Sequence, residues 1–274
     1  MTRSTRNPDH PFPTVPLFGV PLTIADYESV VELVRNHLLS PADRPLTLDT
    51  ANTMTMASAC LDPRMRDAML GYDAILPDGM PLVWCMNVKG AGLLDRTYGP
   101  YTTEKVLAGL PKQTKVALIG GFADVHRGLV EQARTRFPMA EFVLLYDAPL
   151  APIDDAYVRT CLDKIEASGA QLVFVCLGVP RQYYFMANAK PLLGGRVCFS
   201  VGGAFDLIVG RVPYAPPWMQ KAGLTWFFRL CWEPGRMWRR YVKYNTLFLW
   251  FFLTKEIFTG KLFREKPQSG KPAQ

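Results

Sequence analysis

Lys115-Val-Ala-Leu-Ile-Gly-Gly121, followed at once by the amphipathic run Ala123–Arg136, decides the fold. A short run that is apolar on both sides reads as a strand covered on both faces, and a strand that turns through glycines into a helix is half of a βαβ unit. The same alternation repeats on either side. Leu46–Asp49, Ala74–Leu76, Glu141–Leu145, Gln171–Leu177 and Arg196–Val201 read as further strands. Ala25–Leu39, Pro63–Leu70, Thr103–Leu110, Asp154–Ser168 and Gln182–Lys190 read as helices, with Asp154 and Asp155 placing carboxylates where a helix start exposes N–H groups. Strands alternating with helices over this length predict an α/β fold, a doubly wound Rossmann-like core with a mostly parallel sheet.

The texture changes after Gly210. Pro213, Pro216 and Pro217 end the alternation, and Trp218–Phe263 reads as helix broken at Glu233-Pro234-Gly235. The chain is thus expected to divide into a flexible leader (1–13), an α/β domain (14–212), a C-terminal helical appendage (213–264) and a flexible tail (265–274). The leader has no apolar core of a signal peptide. The apolar part of Thr246–Phe258 is interrupted by Lys255-Glu256 and is far shorter than the roughly 20 residues a spanning helix needs.

The 274 residues are 49% hydrophobic and carry a net charge of +7, so a sizeable core and attraction to polyanions are both expected. The cations concentrate after Arg211 among Trp and Phe, and no nucleic-acid motif accompanies them, which favours a lipid headgroup surface over nucleic acid. Trp232, Trp238, Phe248, Trp250, Phe251 and Phe252 alternate with Arg236, Arg239, Arg240 and Lys243. A basic-aromatic helix of this kind lies in a membrane interface, so the appendage is expected to associate with the membrane. Six scattered cysteines without CxxC spacing read as free thiols of a reducing compartment. The chain is therefore expected in the cytoplasm, peripheral at the inner face of the plasma membrane.

In a doubly wound sheet, ligands bind beyond the carboxyl ends of the strands. The residues just there are Thr50-Ala51-Asn52, Pro77-Asp78-Gly79, Gly120-Gly121, Gly178-Val179-Pro180-Arg181-Gln182 and Gly202-Gly203 with Asp206 beyond. Backbone donors and amide side chains gathered at one rim suit a diphosphate and a sugar. The full GxGxxG of a nicotinamide enzyme and the GxSxG of a hydrolase are both missing. His10, His37 and His126 fall in leader and helix positions without metal-ligand spacing.

The ordered string Thr-x-Asn, Pro-Asp-Gly, Asp95-Arg96-Thr97-Tyr98-Gly99, Gly-Gly, Gly-x-Pro-Arg-Gln and Val-Gly-Gly-x-Phe-Asp resembles the WecG/TagA/CpsF family, glycosyltransferase family 26. The resemblance continues through Gly210, Ala215-Pro216-x-Trp218, Gly223-Leu224-x-Trp226, Arg229-Leu230 and Glu233-Pro234-x-Arg236, and covers roughly Pro16 to Tyr241. It implies an inverting, metal-independent transfer from a UDP-sugar to a polyprenyl-diphosphate-linked acceptor in cell-surface or exopolysaccharide synthesis, with no cofactor and with membrane contact through the appendage. Carried over by motif, Asp78 is the general base, Thr50 and Asn52 line the sugar pocket, Arg96 meets donor phosphate or acceptor, and Gln182 hydrogen-bonds substrate. Arg229, Arg236 and Arg239 would close over the leaving diphosphate.

Five positions in four motifs depart from the family pattern. Pro-Lys-Gln-Glu becomes Pro180-Arg181-Gln182-Tyr183, Arg-Ala-Pro becomes Tyr214-Ala215-Pro216, Glu-Trp becomes Thr225-Trp226, and a glycine becomes Ala148. They leave the donor open between an N-acetylmannosamine type and a neutral hexose, and leave room for a homo-oligomer. The rival reading is a non-catalytic peripheral membrane adaptor of a polysaccharide assembly complex, which would not bind UDP.

Overall fold

The computed structural model describes residues 10–270, without the side chains of Arg236 and Phe263. The chain opens on an antiparallel hairpin, β1 (Thr14–Leu17) and β2 (Val20–Thr23). The sequence pattern did not announce this hairpin. Pro16 stands opposite Pro21 in its register, and prolines in so short a run erase the alternation that marks a strand. Its turn puts Phe18 at φ 53° and Gly19 at φ 82°.

The six expected strands all form: β3 (Leu46–Ala51), β4 (Ala74–Pro77), β5 (Thr114–Gly120), β6 (Ala140–Tyr146), β7 (Leu172–Cys176) and β8 (Val197–Ser200). They make one sheet in the order β4-β3-β8-β7-β5-β6, with every pairing parallel. All six carboxyl ends therefore open on the same rim. Around the sheet lie α1 (Tyr27–Leu39), α2 (Thr53–Leu61), α3 (Pro63–Leu70), α4 (Met80–Val88), α5 (Gly99–Ala108), α6 (Ala123–Arg136), α7 (Asp155–Ser168), α8 (Arg181–Ala189) and α9 (Ala204–Ile208). Helix α5 starts four residues before the expected Thr103, because Gly99 and Pro100 begin it directly at the rim.

Side chains of the central strands divide between two cores. Val173, Val175 and Cys198 join Met56, Met65, Tyr72, Tyr183 and the hairpin residues Leu17 and Leu22 on one face. Phe174 and Phe199 meet Val30, Leu107, Leu129 and Phe205 on the other. Each such fully buried Leu or Phe contributes about 1.5–3 kcal/mol over its exposed state.

The C-terminal region is helical: α10 (Pro217–Lys221), α11 (Thr225–Trp232), α12 (Pro234–Phe251), a π-helical turn Phe252–Ile257, and α13 (Lys261–Arg264). Helix α12 lies along α2, where the Thr53 hydroxyl donates to Asn245 Oδ1 at 2.8 Å. Phe248 is only 3% exposed and meets the Phe18 ring edge-on at 5.3 Å, so it belongs to the core rather than to the outward aromatics with which it was grouped. Glu256 and Lys89 are both fully buried and paired at 2.6 Å. The second Glu256 oxygen accepts the Phe18 N–H at 2.7 Å, while the Lys89 ammonium also donates to Pro16 O and to Glu265. Farther on, Thr14 and Gln268 exchange two backbone hydrogen bonds. Among the described residues, no helix is long and apolar enough to cross a membrane.

Candidate active site

A cavity of about 980 Å³ runs along the carboxyl rim. Asp78 is the first residue beyond β4. Its N–H donates to Ala51 O at 2.8 Å, which fixes the backbone, and its Oδ1 accepts the Gly99 N–H at 2.6 Å. The carboxylate thus sits on the N-terminus of α5, where the exposed N–H groups of a ten-residue helix favour negative charge. A Cβ at position 99 would lie 3.2 Å from Thr50 Oγ1 and 3.4 Å from Asp78 Oδ1, so the glycine lets backbone, hydroxyl and carboxylate approach one another.

Asn52, just past β3, caps α2 by accepting from the Thr55 N–H at 3.2 Å. Gln182 is 2% exposed yet lines the cavity. Its Nε2 donates to Asp49 Oδ1 at 3.2 Å, and its buried Oε1 meets no protein donor among the described residues. Asp49 is wholly buried beneath it and also accepts from the Tyr183 hydroxyl at 2.8 Å. Burial pushes the Asp49 carboxyl up to about 7, against the hydrogen bonds from Tyr183, Thr50 and Gln182 that favour its charged form.

Glycines make the far half of the rim. Gly120 has φ 90°, and a Cβ there would stand 2.7 Å from the Cys176 carbonyl oxygen, so only glycine fits. Gly121, Gly178, Gly202 and Gly203 continue the wall. Asp206 is bound by Arg211 at 2.6 Å, and Arg211 in turn reaches Asp124 at 3.0 Å and lies over the Phe122 ring. The appendage closes one side through Arg229, Glu233 and Arg240.

Eleven of the fourteen residues expected at the site therefore line one cavity: Thr50, Asn52, Asp78, Gly120, Gly121, Gly178, Gln182, Gly202, Gly203, Asp206 and Arg229. Arg96 does not. It is buried behind the wall, donating to the Thr225 hydroxyl at 2.8 Å with its guanidinium over the Tyr98 ring. Arg239 is exposed on α12 and off the cavity, and the side chain of Arg236 lies outside the described residues. Arg181 and Arg211 supply cations to the wall that sequence reasoning left without a role, and Arg240, grouped there with the membrane-facing cations, lines the cavity as well. Arg181 stood inside the quoted Gly-x-Pro-Arg-Gln and Arg211 directly after Gly210, so position beside a rim glycine was the available signal.

All three histidines hydrogen-bond backbone carbonyls: His10 to Asp73, His37 to Gly195 and His126 to Gly120. Among the described residues, no group of three or more His, Cys, Asp or Glu is placed to hold a metal ion.

A parallel sheet whose carboxyl rim gathers a helix-seated carboxylate, amide side chains, glycine turns and arginines along one trough is an α/β ligand-binding core, and the family match gives its class as glycosyltransferase. The chain matches the model of the glycosyl transferase WecG/TagA/CpsF family over residues 15–262, and it belongs to that family. It is 29% identical over 266 residues to an N-acetylglucosaminyldiphosphoundecaprenol N-acetyl-beta-D-mannosaminyltransferase of Bacillus subtilis (strain 168), covering 95% of this chain and 99% of that protein. A protein of the same name from Bacillus spizizenii (strain ATCC 23059 / NRRL B-14472 / W23) is 32% identical over 195 residues, 70% of this chain and 72% of that one.

Proposed function

We propose that this chain transfers an N-acetylmannosamine-type sugar, with inversion and without a metal, from a UDP-sugar to a polyprenyl-diphosphate-linked sugar at the inner face of the plasma membrane. The observation that carries the reading is the Asp78 carboxylate, held by the Gly99 N–H at one end of the rim cavity. Four strand spacings separate β4 from β5 in the sheet order, so about 19 Å lies between the Asp78 end and the Gly120-Gly121 end. An extended nucleoside diphosphate sugar fits that trough, with its base toward the glycines and its anomeric carbon toward Asp78.

An acceptor hydroxyl attacks the anomeric carbon in line as the bond to UDP breaks. Asp78 takes the hydroxyl proton, a general-base contribution of roughly a hundred- to ten-thousand-fold. The departing diphosphate collects negative charge, which guanidinium groups stabilise by bidentate contact. Arg229 and Arg240 from the appendage, with Arg181 and Arg211 from the core, stand on the cavity wall for this role.

The donor class follows from where the family departures fall. Tyr183 is fully buried on Asp49, Tyr214 stacks on Tyr101 with ring centroids 5.2 Å apart, and Thr225 is buried against Arg96. Of the five departures, Ala148 and Arg181 touch the cavity. Three of the five departures thus fall off the cavity, and Arg181 keeps a cation where the family pattern has Lys, which favours the donor named in the relatives over a neutral hexose. Membrane docking rests on the outward face of the appendage, where Trp218, Trp232, Trp238 and Trp250 are each more than half exposed beside the exposed Arg239 and Lys243.

Asp78→Asn tests the mechanism: turnover falls at least a hundredfold while UDP binding by titration stays within a few-fold of wild type. Near-normal turnover would refute the base. A panel of radiolabelled UDP-sugars, offered with a polyprenyl-diphosphate-sugar acceptor in the presence and absence of a chelator, tests donor and metal independence. The anomeric configuration of the product, read by NMR, tests inversion. Failure of the wild-type chain to bind UDP would favour the adaptor reading.

A further inference from the structure

Helix α4 begins two residues after Asp78 and carries an apolar face that the core does not use. Leu82, Val83, Cys85 and Met86 are buried, whereas Trp84 and Val88, one helical turn apart, are 57% and 56% exposed. The loop that follows α4 adds a further exposed apolar residue. The Asn87 side chain binds both backbone groups of Leu93, N–H and C=O, at 2.8 Å each, and so holds the loop in one shape. The next residue, Leu94, is 99% exposed. A loop pinned by two hydrogen bonds that projects a leucine wholly into solvent has its exposed apolar group fixed in place.

The appendage brackets this face at two points. Its turn at Gly223 lies against Met80 and Trp84, with a Cβ at 223 falling 3.8 Å from the indole. Its π-helical turn meets the end of α4 through the buried Lys89–Glu256 pair. The exposed Trp218 and Phe258 stand on the two bracketing segments, and the cations Lys221, Arg239 and Lys243 are exposed on the same appendage. The loop's own acid, Asp95, turns back to accept the Arg96 N–H at 2.7 Å.

We infer that the catalytic domain itself docks on an anionic bilayer through Trp84, Val88 and Leu94, continuing the appendage face onto the core. The inference rests on the membrane docking proposed above and specifies the part of that surface nearest the reaction. The whole segment starts and ends at the catalytic carboxylate, since Asp78 Oδ1 accepts from Gly99 at 2.6 Å. Helix α4, lying on the bilayer along one side, then holds Asp78, two residues before its start, close to the lipid surface where the acceptor hydroxyl is presented.

The test uses the full chain and vesicles of equal parts phosphatidylcholine and phosphatidylglycerol. Val88→Glu with Leu94→Glu lowers vesicle partition at least about tenfold, as loss of two apolar anchors requires. It leaves turnover on a short, water-soluble acceptor and the oligomeric state unchanged, while Val88→Ile with Leu94→Phe keeps wild-type partition. Unchanged partition of the Glu variant, beside a loss for Trp238→Glu with Trp250→Glu, would overturn the α4 contact and spare appendage docking. A wild-type chain that does not pellet with vesicles would overturn docking itself. A change of oligomeric state in the Glu variant without vesicles would assign the face to a second copy and overturn the lipid contact.

Discussion

Asp49→Asn separates the charge beneath the site from its shape, and its effect changes with pH in a direction opposite to ordinary acid unfolding. The native carboxyl lies at about 7 against the ordinary 3.8, because burial disfavours its charged form. Between those values the folded chain holds a proton that the unfolded chain has released, so this group's contribution to stability falls as pH rises through the interval and is constant above it. At about 1.4 kcal/mol per decade of proton affinity, the interval from 3.8 to about 7 amounts to roughly 4 kcal/mol. Over a third of that is already lost at pH 5, leaving roughly 2–3 kcal/mol to be lost between pH 5 and pH 8. Asparagine cannot ionise, and its amide can stay within reach of Gln182 and Tyr183. Urea unfolding of both proteins at the two pH values isolates the effect, since other titrating groups cancel in the difference. The variant gains roughly 2–3 kcal/mol on wild type from pH 5 to pH 8. A gap that does not move with pH would refute the assignment of a protonated Asp49 beneath Gln182.

Gly99→Ala inserts a methyl group 3.2 Å from Thr50 Oγ1 and 3.4 Å from Asp78 Oδ1, and lowers turnover about tenfold with little change in thermal midpoint, because small displacements of a catalytic group cost rate first. Gly120→Ala demands both φ 90° and a contact of 2.7 Å to Cys176 O, and it destabilises the fold by at least about 2 kcal/mol, read by thermal melting, together with a loss of UDP binding. Lys89→Met strips the buried Glu256 of its cation, and the urea midpoint drops by the equivalent of about 3–5 kcal/mol.

The sheet was legible because five of its strands are almost wholly buried, the partly buried β6 is still a short apolar run, and each strand leads into an Asn, Asp or Gly turn, a local signal that needs no partner. The glycine and acid positions of the site were legible for the same reason, since topology alone sends every strand end to one rim. Arg96 shows where this stops. Its motif placed it near Asp78, but whether a guanidinium turns toward the cavity or back onto Tyr98 and Thr225 is decided by a helix more than a hundred residues later. Phe248 is the converse case: its partner Phe18 sits in a hairpin hidden by Pro16 and Pro21, so nothing local distinguished it from its outward neighbours. Tyr183 looked like a loss of charge at the site until the fold put its hydroxyl on Asp49.

The Phe18 N–H, held in a left-handed turn, finds its acceptor in Glu256, 238 residues farther along the chain. During synthesis the first hairpin therefore emerges long before the carboxylate that completes it. Its β1 strand waits as well for Gln268. A nascent chain stalled after the last sheet strand would have its six-stranded sheet and an unfinished beginning, with the Phe18 ring bare where Phe248 and Phe251 come to cover it.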